Sequence, residues 1–177
     1  MTRPILFLTI GMPGCGKTTA ARSFEVEHRA LRLTKDEWMK ALYGEENPSS
    51  ASGVVEGRLI AIALRALTLG TNVALDFGLW SRDERSALRD AGEQAGASVI
   101  MWYASITLEE QRRRHDIRLA AEPHWTWPMS DEDLAGWAGL FDVPSQGELD
   151  GTEPIDSPPT GFPSWTDWMQ HRWPARV

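Results

Sequence analysis

Apolar residues cluster in short runs that are separated by longer polar stretches. Four of these runs have the length and composition of buried strands, and they cover residues 4–10, 30–33, 71–77 and 98–104. The stretches between them carry apolar residues at helical spacing. Strands that alternate with helices indicate βαβ crossovers. The pattern therefore predicts an α/β fold of three layers, with a mostly parallel sheet of about five strands and helices on both faces.

Short polar signals predict where the helices begin and end. Three pairs fit a capping box, in which a Ser or Thr N-cap is followed three positions later by Glu. These pairs are Thr34 with Glu37, Ser81 with Glu84, and Thr107 with Glu110. Glycines at positions 44, 70 and 96 follow predicted helices, where glycine commonly ends them. Residues 47–53 are small and polar and predict a loop, after which a helix is expected over residues 54–69.

The composition of the chain changes after Ala121, where Trp and Pro become frequent. We predict one domain over residues 1–177, made of an α/β core over 1–121, a lid helix near 107–120, and a Trp- and Pro-rich extension over 122–177. Ser130 can cap a short helix through about Leu140, and residues 153–156 are the candidate for an added strand. The tryptophans of the extension each bury a large area when docked. The extension is therefore expected to fold over the α/β layer.

The first strand leads directly into a glycine-rich turn. Residues 11–18, Gly-Met-Pro-Gly-Cys-Gly-Lys-Thr, fit the pattern G-x-x-x-x-G-K-[ST], with a strand before and a helix after. Such a turn lets backbone N–H groups surround an anion at the positive end of the helix. The lysine then reaches the β- and γ-phosphates, and the threonine hydroxyl can ligate Mg²⁺. The residues predicted to bind ATP are Gly11, Pro13, Gly14, Cys15, Gly16, Lys17, Thr18 and Thr19.

Two acids follow predicted strands whose ends should open on the same crevice as the glycine-rich turn. Asp36 comes after the second strand, where it can orient a substrate hydroxyl and accept its proton, or simply favour a helix start. Its neighbour Lys35 offers charge toward phosphate. Asp76 lies at the end of the third strand, which is the position of an acid that holds Mg²⁺ in nucleotide-binding proteins. It is also a candidate for contact with the substrate.

Arginines are placed after the third and fourth strands. Arg82 and Arg85 either contact substrate or are solvated charges on a helix face. Arg114 and Arg118 are four residues apart and therefore share one side of the predicted lid helix. Cations that meet the charge developing on the transferred group accelerate phosphoryl transfer. At least one of Arg114 and Arg118, with Arg118 favoured, is expected to meet phosphate.

The net charge of −7 and the sequence pI near 5.1 disfavour a nucleic-acid partner, since affinity for nucleic acid comes largely from basic surface. Cys15 is the single cysteine, which excludes an internal disulfide and fits a reducing compartment. The apolar runs are too short to cross a membrane, and the start of the chain does not resemble a secretion signal. A cytoplasmic location without a membrane partner is expected.

Taken in order, these segments resemble the P-loop kinases that include phage polynucleotide 5′-kinase, zeta toxins and chloramphenicol phosphotransferase. The matching segments are LTIGMPGCGKTT, LRLTKDEW, ALDFGLWSRDER and RHDIR. The resemblance implies that Lys17 and Thr18 bind ATP and Mg²⁺, that Asp36 is the catalytic base, and that Arg118 stabilises the transferring phosphoryl group. Asp76 falls on an acidic position that is important in that group.

Where polynucleotide kinases carry an arginine, two positions after the residue matching Glu37, this chain has Met39, with Lys40 beside it. The departure argues against recognition of a polynucleotide phosphate. The extension after Ala121 has no counterpart in the resemblance and is expected to form the acceptor pocket. The leading hypothesis is transfer of the γ-phosphate of ATP to a hydroxyl of a nucleoside, sugar or antibiotic-like molecule. The alternatives are a polynucleotide 5′-hydroxyl kinase and a nucleotide-dependent switch or NTPase that transfers nothing to an acceptor.

Overall fold

A parallel sheet forms the centre of the protein. The computed structural model describes residues 3–174, and in this part of the chain the sheet has four strands in the order β2-β3-β1-β4. Every paired strand is parallel to its neighbour, so each connection crosses over through a helix. The strands are β1 (Ile5–Ile10), β2 (Leu31–Thr34), β3 (Val73–Gly78) and β4 (Ser98–Tyr103).

Helices lie on both faces of this sheet, which confirms the three-layer α/β prediction. The α-helices are α1 (Lys17–Glu27), α2 (Lys35–Tyr43), α3 (Ser49–Thr68), α4 (Arg82–Gln94), α5 (Leu108–Ala121), α6 (Asp131–Leu140), α7 (Gln146–Asp150) and α8 (Trp165–Arg172). A 3₁₀ turn covers Pro123–Trp125. On one face, Phe7 of β1 packs with Ala21 of α1. On the other face, Leu6, Leu8 and Ile10 pack with α3, α4 and α8. The alternation along β1 thus supplies two separate apolar layers.

The sheet differs from the prediction at one edge. Strand β4 lies at the edge of the described sheet, although it has the composition of a buried strand, and the sheet has four strands where about five were expected. Helices α4 and α7 contact β4, but every residue of the strand is only half-buried or exposed, and Ile100 is 44% exposed. An apolar strand therefore lies at the edge of the described sheet with only partial cover from helices. Residues 153–156, the candidate for an added strand, are irregular.

Helix boundaries follow the polar signals only in part. Helix α3 begins at Ser49, inside the segment predicted as a loop, because a first turn of small polar residues is compatible with helix. Ser81 forms a complete capping box with Glu84, and Ser130 caps α6. Thr107 accepts from the backbone N–H of Glu110, but the Glu110 side chain pairs with arginines instead of completing the box. Thr34 occupies the N-cap position without a side-chain cap, because its hydroxyl binds Asp76.

The C-terminal segment packs onto the α/β core, as its tryptophans predicted. Trp165, Trp168 and Trp173 are buried, and successive pairs of their rings meet edge to face at centroid distances of 5.6 Å. Helix α8 contacts α3 and α4. The indole N–H groups also have partners, since Trp165 Nε1 donates to Asp156 O at 2.9 Å and Trp173 Nε1 donates to Glu56 Oε2 at 2.8 Å. These contacts fix the segment by apolar burial and by specific hydrogen bonds.

Arg85 and Arg82 attach the C-terminal segment to α4, a role that differs from both expected alternatives, contact with substrate and a solvated charge on a helix face. Arg85 is fully buried and pairs with Glu148 of α7, while its Nη1 also donates to Asp142 O at 2.9 Å. Arg82 pairs with Asp156, and its Nη2 donates to Glu153 at 2.9 Å. Sequence spacing could not reveal these partners, because each lies more than fifty residues away along the chain.

Replacement of Glu148 by leucine should strongly destabilise the protein, because it leaves the Arg85 charge buried without its counterion. We expect the free energy of unfolding to fall by about 3–5 kcal/mol. The double variant Arg85→Met/Glu148→Leu should lose less than the sum of the two single variants. Urea titration of all three variants measures this coupling. Arg113→Gln, at an exposed pair with Glu110, is the control and should leave the midpoint nearly unchanged. If the losses in unfolding free energy of the two single variants simply added up in the double variant, Arg85 and Glu148 would not be coupled as a buried ion pair.

Candidate functional site

The glycine-rich turn lies between β1 and α1 and curls back on itself. Gly11, Gly14 and Gly16 all have positive φ, and Gly16 is the N-cap of α1. At Gly11 a Cβ would lie 2.6 Å from Cys15 Sγ and 2.8 Å from the carbonyl oxygen of Ala104, so the turn requires glycine there. Pro13 and Thr18 are half-buried, Thr19 is exposed, and Cys15 is buried. The backbone at the start of α1 therefore has the conformation expected of an anion-binding turn.

Lys17 lies within the curve of this turn. Its Nζ donates to the carbonyl oxygen of Met12 at 2.9 Å. Burial lowers the pKa of Lys17, while the thiol of Cys15 and the carboxylates of Asp76 and Asp36 act in the opposite direction. The side chain is therefore a largely desolvated cation near two acids, and an incoming phosphate would compensate the cost of its burial.

Asp76 is buried at the carboxyl end of β3 and is 5% exposed. It accepts hydrogen bonds from the hydroxyls of Thr34 at 3.2 Å and Thr9 at 3.4 Å. Burial raises the pKa of Asp76, against the effect of a hydrogen bond from Thr18 and the charge of Lys17. Thr34 stands directly opposite Asp76 in the β2–β3 register. The structure thus brings the two predicted Mg²⁺ ligands, Thr18 and Asp76, together.

Asp36 lies in the first turn of α2, immediately after β2, and its side chain is 70% exposed. Its Oδ1 is 3.8 Å from Lys35 Nζ. Because β1, β2 and β3 are parallel, Asp36 after β2 lies at the same edge of the sheet as the glycine-rich turn and Asp76, and its charge acts on the pKa of both Lys17 and Asp76. The exposed carboxylate of Asp36 is accessible to a substrate, whereas Asp76 is enclosed and Lys17 is half-buried.

Helix α5 reaches the turn from the other side. Arg114 Nη1 donates to the carbonyl oxygen of Gly14 at 3.0 Å, and its Nε donates to Glu110 at 2.6 Å. Arg118 is exposed one turn further along the same side of α5. Gln111 and His115 share this side and are buried, and their Nε2 atoms have no hydrogen-bond partner among residues 3–174. Gln111 and His115 were not predicted as site residues. Their spacing from Arg114 and Arg118, at i, i+3, i+4 and i+7, could have shown that all four lie on one side of α5.

A pocket of about 220 Å³ has Lys35, the residue before Asp36, in its wall. Its lining residues come from α2, α3, the end of β3 and its following loop, α4 and the end of α8, and they are Lys35, Ser52, Glu56, Phe77, Leu79, Trp80, Glu84, Arg172 and Trp173. Lys35 Nζ lies 3.5 Å from Glu56 Oε1. Sequence reasoning assigned only Lys35 to the site. It missed the other lining residues because they meet only when the C-terminal segment folds back onto the core.

Trp80 connects this pocket with the glycine-rich turn. A Cβ on Gly78 would lie 3.1 Å from Trp80 Nε1 and 3.5 Å from Lys17 Cε, so both side chains approach the same point. The carbonyl oxygen of Trp80 accepts from the backbone N–H of Asp142 at 2.9 Å, which fixes the loop after β3. The phosphate-binding turn and the pocket are therefore adjacent.

A family comparison fits this arrangement of strand, glycine-rich turn and flanking acids. A model described as an AAA domain matches residues 6–129, which include β1 to α5 and every predicted site residue. The chain belongs to this AAA domain family. No curated protein matches the sequence.

Solved structures share the fold of this AAA domain at low sequence identity. A candidate kinase from Chloroflexus aurantiacus has a TM-score of 0.64 and 19% identity, with 96% of this chain and 97% of that chain covered. Kti12 from Chaetomium thermophilum, in complex with ADP-AlF3, has a TM-score of 0.62 and 17% identity over 97% and 99%. The Mycobacterium tuberculosis APS kinase CysC, in complex with AMPPNP and APS, has a TM-score of 0.58 and 18% identity over 97% and 96%. The resemblance to P-loop kinases is thus confirmed for the fold.

Two residues of α2, Met39 and Lys40, stand where the sequence departs from polynucleotide kinases, which carry an arginine there. Met39 is fully buried in the core and presents no polar group to a ligand. Lys40 is also buried, with its Nζ 4.6 Å from the ring centroid of Trp127 and 3.5 Å from Glu45. The positive charge at this point is therefore directed toward Trp127 and Glu45. Trp125 remains 63% exposed.

The candidate site contains oxygen donors that suit Mg²⁺. In residues 3–174, no group of three or more His, Cys, Asp or Glu side chains could hold a metal ion by itself. Mg²⁺ bound with a nucleotide needs only one or two protein oxygens, since phosphates and water supply the rest. The buried Asp76 carboxylate beside the Thr18 hydroxyl fits that requirement. Over the same stretch, none of the helices is both apolar and long enough to cross a bilayer.

Asp76→Asn should stabilise the folded protein at neutral pH. Because burial raises the pKa of Asp76, the folded state favours its protonated form, and this contribution to stability is lost as the pH rises through the folded-state pKa. We expect a gain of roughly 0.5–2 kcal/mol in the free energy of unfolding at about pH 7.5. The gain should shrink as the pH falls toward the unfolded-state pKa of about 3.9.

Urea titrations of wild type and Asp76→Asn at two pH values measure this difference. Asp116→Asn, which alters an exposed acid on α5, is the matched control and should show no comparable gain. An Asp76→Asn protein that is less stable than wild type at neutral pH would show that hydrogen bonds to the carboxylate outweigh its burial.

Proposed function

We propose that the protein is an ATP- and Mg²⁺-dependent phosphotransferase that moves the γ-phosphate to a hydroxyl of a small molecule. The observation that carries this proposal is the position of Asp36, an exposed carboxylate on the same side of the sheet as Lys17 and the buried Asp76. A site that only bound nucleotide would not need an accessible acid beside its phosphate cradle. Membership of the AAA domain family and a fold shared with kinases support the same conclusion.

In this proposal the backbone N–H groups of the turn and the Lys17 ammonium bind the β- and γ-phosphates. Thr18 and Asp76 would hold Mg²⁺, which supplies positive charge that neutralises the phosphate oxygens. Asp36 orients the acceptor hydroxyl and takes its proton as the hydroxyl oxygen bonds to the γ-phosphorus. The bond between the γ-phosphorus and the β–γ bridging oxygen breaks, and ADP leaves. Arg114 and Arg118 supply cations at the edge of the turn.

A polynucleotide 5′-hydroxyl kinase is the competing enzyme. The burial of Met39 and the net charge of −7 favour a small acceptor instead. A nucleotide-dependent switch or NTPase is the competing non-kinase function, and it differs because it needs no acceptor and no proton transfer to Asp36. Product analysis with labelled ATP distinguishes the three functions.

Asp36→Asn should lower kcat for phosphoryl transfer by about 10²–10⁴-fold, because the variant cannot accept the hydroxyl proton. ATP affinity should change little, since Asp36 is not part of the phosphate cradle. We would measure transfer from γ-labelled ATP to a pool of hydroxyl compounds and identify the products by mass spectrometry. Calorimetry would give the affinity for a non-hydrolysable ATP analogue.

Two further variants make this test specific. Glu37→Gln alters the neighbouring acid, which pairs with Arg32 at 2.8 Å, and should retain activity. Lys17→Ala should abolish nucleotide binding itself. Phosphoryl transfer at the wild-type rate by Asp36→Asn would refute the assignment of the base, and ATP hydrolysis without any phosphorylated product would favour the NTPase.

A further inference from the structure

The pocket beside Asp36 is closed by the end of α8, and it has the features of a binding site for a specific class of acceptor. We propose that it binds a neutral, polyhydroxylated molecule of about monosaccharide size, with Arg172 and Trp173 of the C-terminal segment as part of its wall. This inference rests on the proposed function, because it names the acceptor of the same phosphoryl transfer.

The first argument is the position of the pocket. Lys35 lines it and lies 3.8 Å from Asp36 Oδ1, so the pocket adjoins the proposed base. Trp80 also lines the pocket, and its Nε1 lies near Gly78, as does Cε of Lys17. A molecule held in the pocket would therefore have the base and the phosphate-binding turn as neighbours, which is what transfer to one of its hydroxyls requires.

The second argument is the charge of the pocket. Its two acids, Glu56 and Glu84, are both buried, and Arg172 contacts both of them, with its Nε 3.0 Å from Glu84 Oε1 and its Nη1 3.6 Å from Glu56 Oε2. Glu56 also pairs with Lys35 and accepts from Trp173 Nε1 at 2.8 Å. Two cations thus balance two anions within the wall.

This balance selects against charged acceptors. A carboxylate or phosphate ester entering the pocket would meet Glu56 and Glu84, and an amine would compete with cations that are already paired. Hydroxyl groups, by contrast, can donate to the carboxylates and accept from Lys35 and Arg172 without disturbing the net charge. Hydrogen bonds to charged groups are stronger than those between neutral groups. A molecule with several hydroxyls could therefore bind tightly to the charged side chains that line the pocket.

The third argument is shape. Phe77, Trp80 and Trp173 contribute aromatic surface, on which the C–H face of a sugar or cyclitol ring can pack. The volume of about 220 Å³ corresponds to roughly seven water molecules and is smaller than the pockets that hold drug-sized ligands. A compact ring with several hydroxyls fits these limits, and a segment of nucleic acid does not.

The acceptor class can be tested with the full-length protein, ATP and Mg²⁺. Glucose and myo-inositol would represent neutral polyols, gluconate and glucose 6-phosphate their charged counterparts, and a 5′-hydroxyl oligonucleotide the polymeric alternative. Phosphorylated product would be identified by mass spectrometry and quantified by ADP release. We expect the neutral compounds to be preferred over the charged ones by at least tenfold in kcat/KM.

Variants of the wall should affect the acceptor and leave the nucleotide alone. Arg172→Gln should raise the KM for the preferred polyol by roughly 10- to 100-fold, since it removes a charged donor, while the KM for ATP stays within about twofold. Ser52→Phe fills the pocket from α3 and should have the same effect without altering a charge. Gln170→Ala changes an exposed residue of α8 outside the pocket and is the control. Thermal unfolding identifies any variant that fails to fold, and Ser52→Phe keeps the test valid if Arg172→Gln does not fold.

The outcomes separate this inference from the proposed function. Preference for gluconate, glucose 6-phosphate or the oligonucleotide would overturn the inference while phosphoryl transfer still stands. An unchanged acceptor KM in folded Arg172→Gln and Ser52→Phe proteins would also overturn it, by locating the acceptor elsewhere. If ATP binds in a Lys17-dependent manner but none of the compounds is phosphorylated, the inference fails, and the proposed function fails as well if the wider pool of hydroxyl compounds gives no phosphorylated product.

Discussion

The hydrogen bond from Gly11 N to the carbonyl oxygen of Gly78, 2.9 Å long, joins the ends of the two central strands. Gly11 begins the phosphate-binding turn after β1, and Gly78 ends β3 two residues after Asp76. Both glycines have positive φ, which lets the two chains turn away while their backbones remain in contact. Because this contact fixes the turn relative to Asp76, the relative positions of Lys17, Asp76 and Trp80 all depend on it.

The features that the sequence predicted correctly are those with local physical causes. Strand length, helical spacing and the glycine-rich pattern are set by residues within a few positions of one another, and the α/β layers and the start of α1 follow from them. Asp36 and Asp76 could be brought to one edge because parallel strands place their carboxyl ends on the same side. The position of β4 at the sheet edge could not be predicted, because its apolar sequence does not distinguish an interior strand from an edge strand that helices such as α4 and α7 cover in part.

The structural roles of Arg82 and Arg85 could not be predicted, because their partners are distant in the sequence. An arginine that follows a strand with a predicted site residue, as β3 carries Asp76, is a reasonable candidate for contact with phosphate. The acidic C-terminal segment changes this, since Glu148 neutralises Arg85 while Glu153 and Asp156 neutralise Arg82. The acids that make the protein negative overall therefore act in part as internal counterions, and the net charge alone does not describe the surface that a ligand meets.

The same segment supplies Arg172 and Trp173 to the pocket, so its folding and the chemistry of the pocket are coupled. Trp173 is 3% exposed and donates to Glu56, and Arg172 bridges Glu56 and Glu84 across α3 and α4. Without α8, the buried carboxylates of Glu56 and Glu84 would lose the guanidinium that pairs with both, and Lys35 alone would remain as a partner of Glu56. A segment that pairs those acids therefore stabilises the wall of the pocket electrostatically, in addition to closing the pocket with the side chains of Arg172 and Trp173.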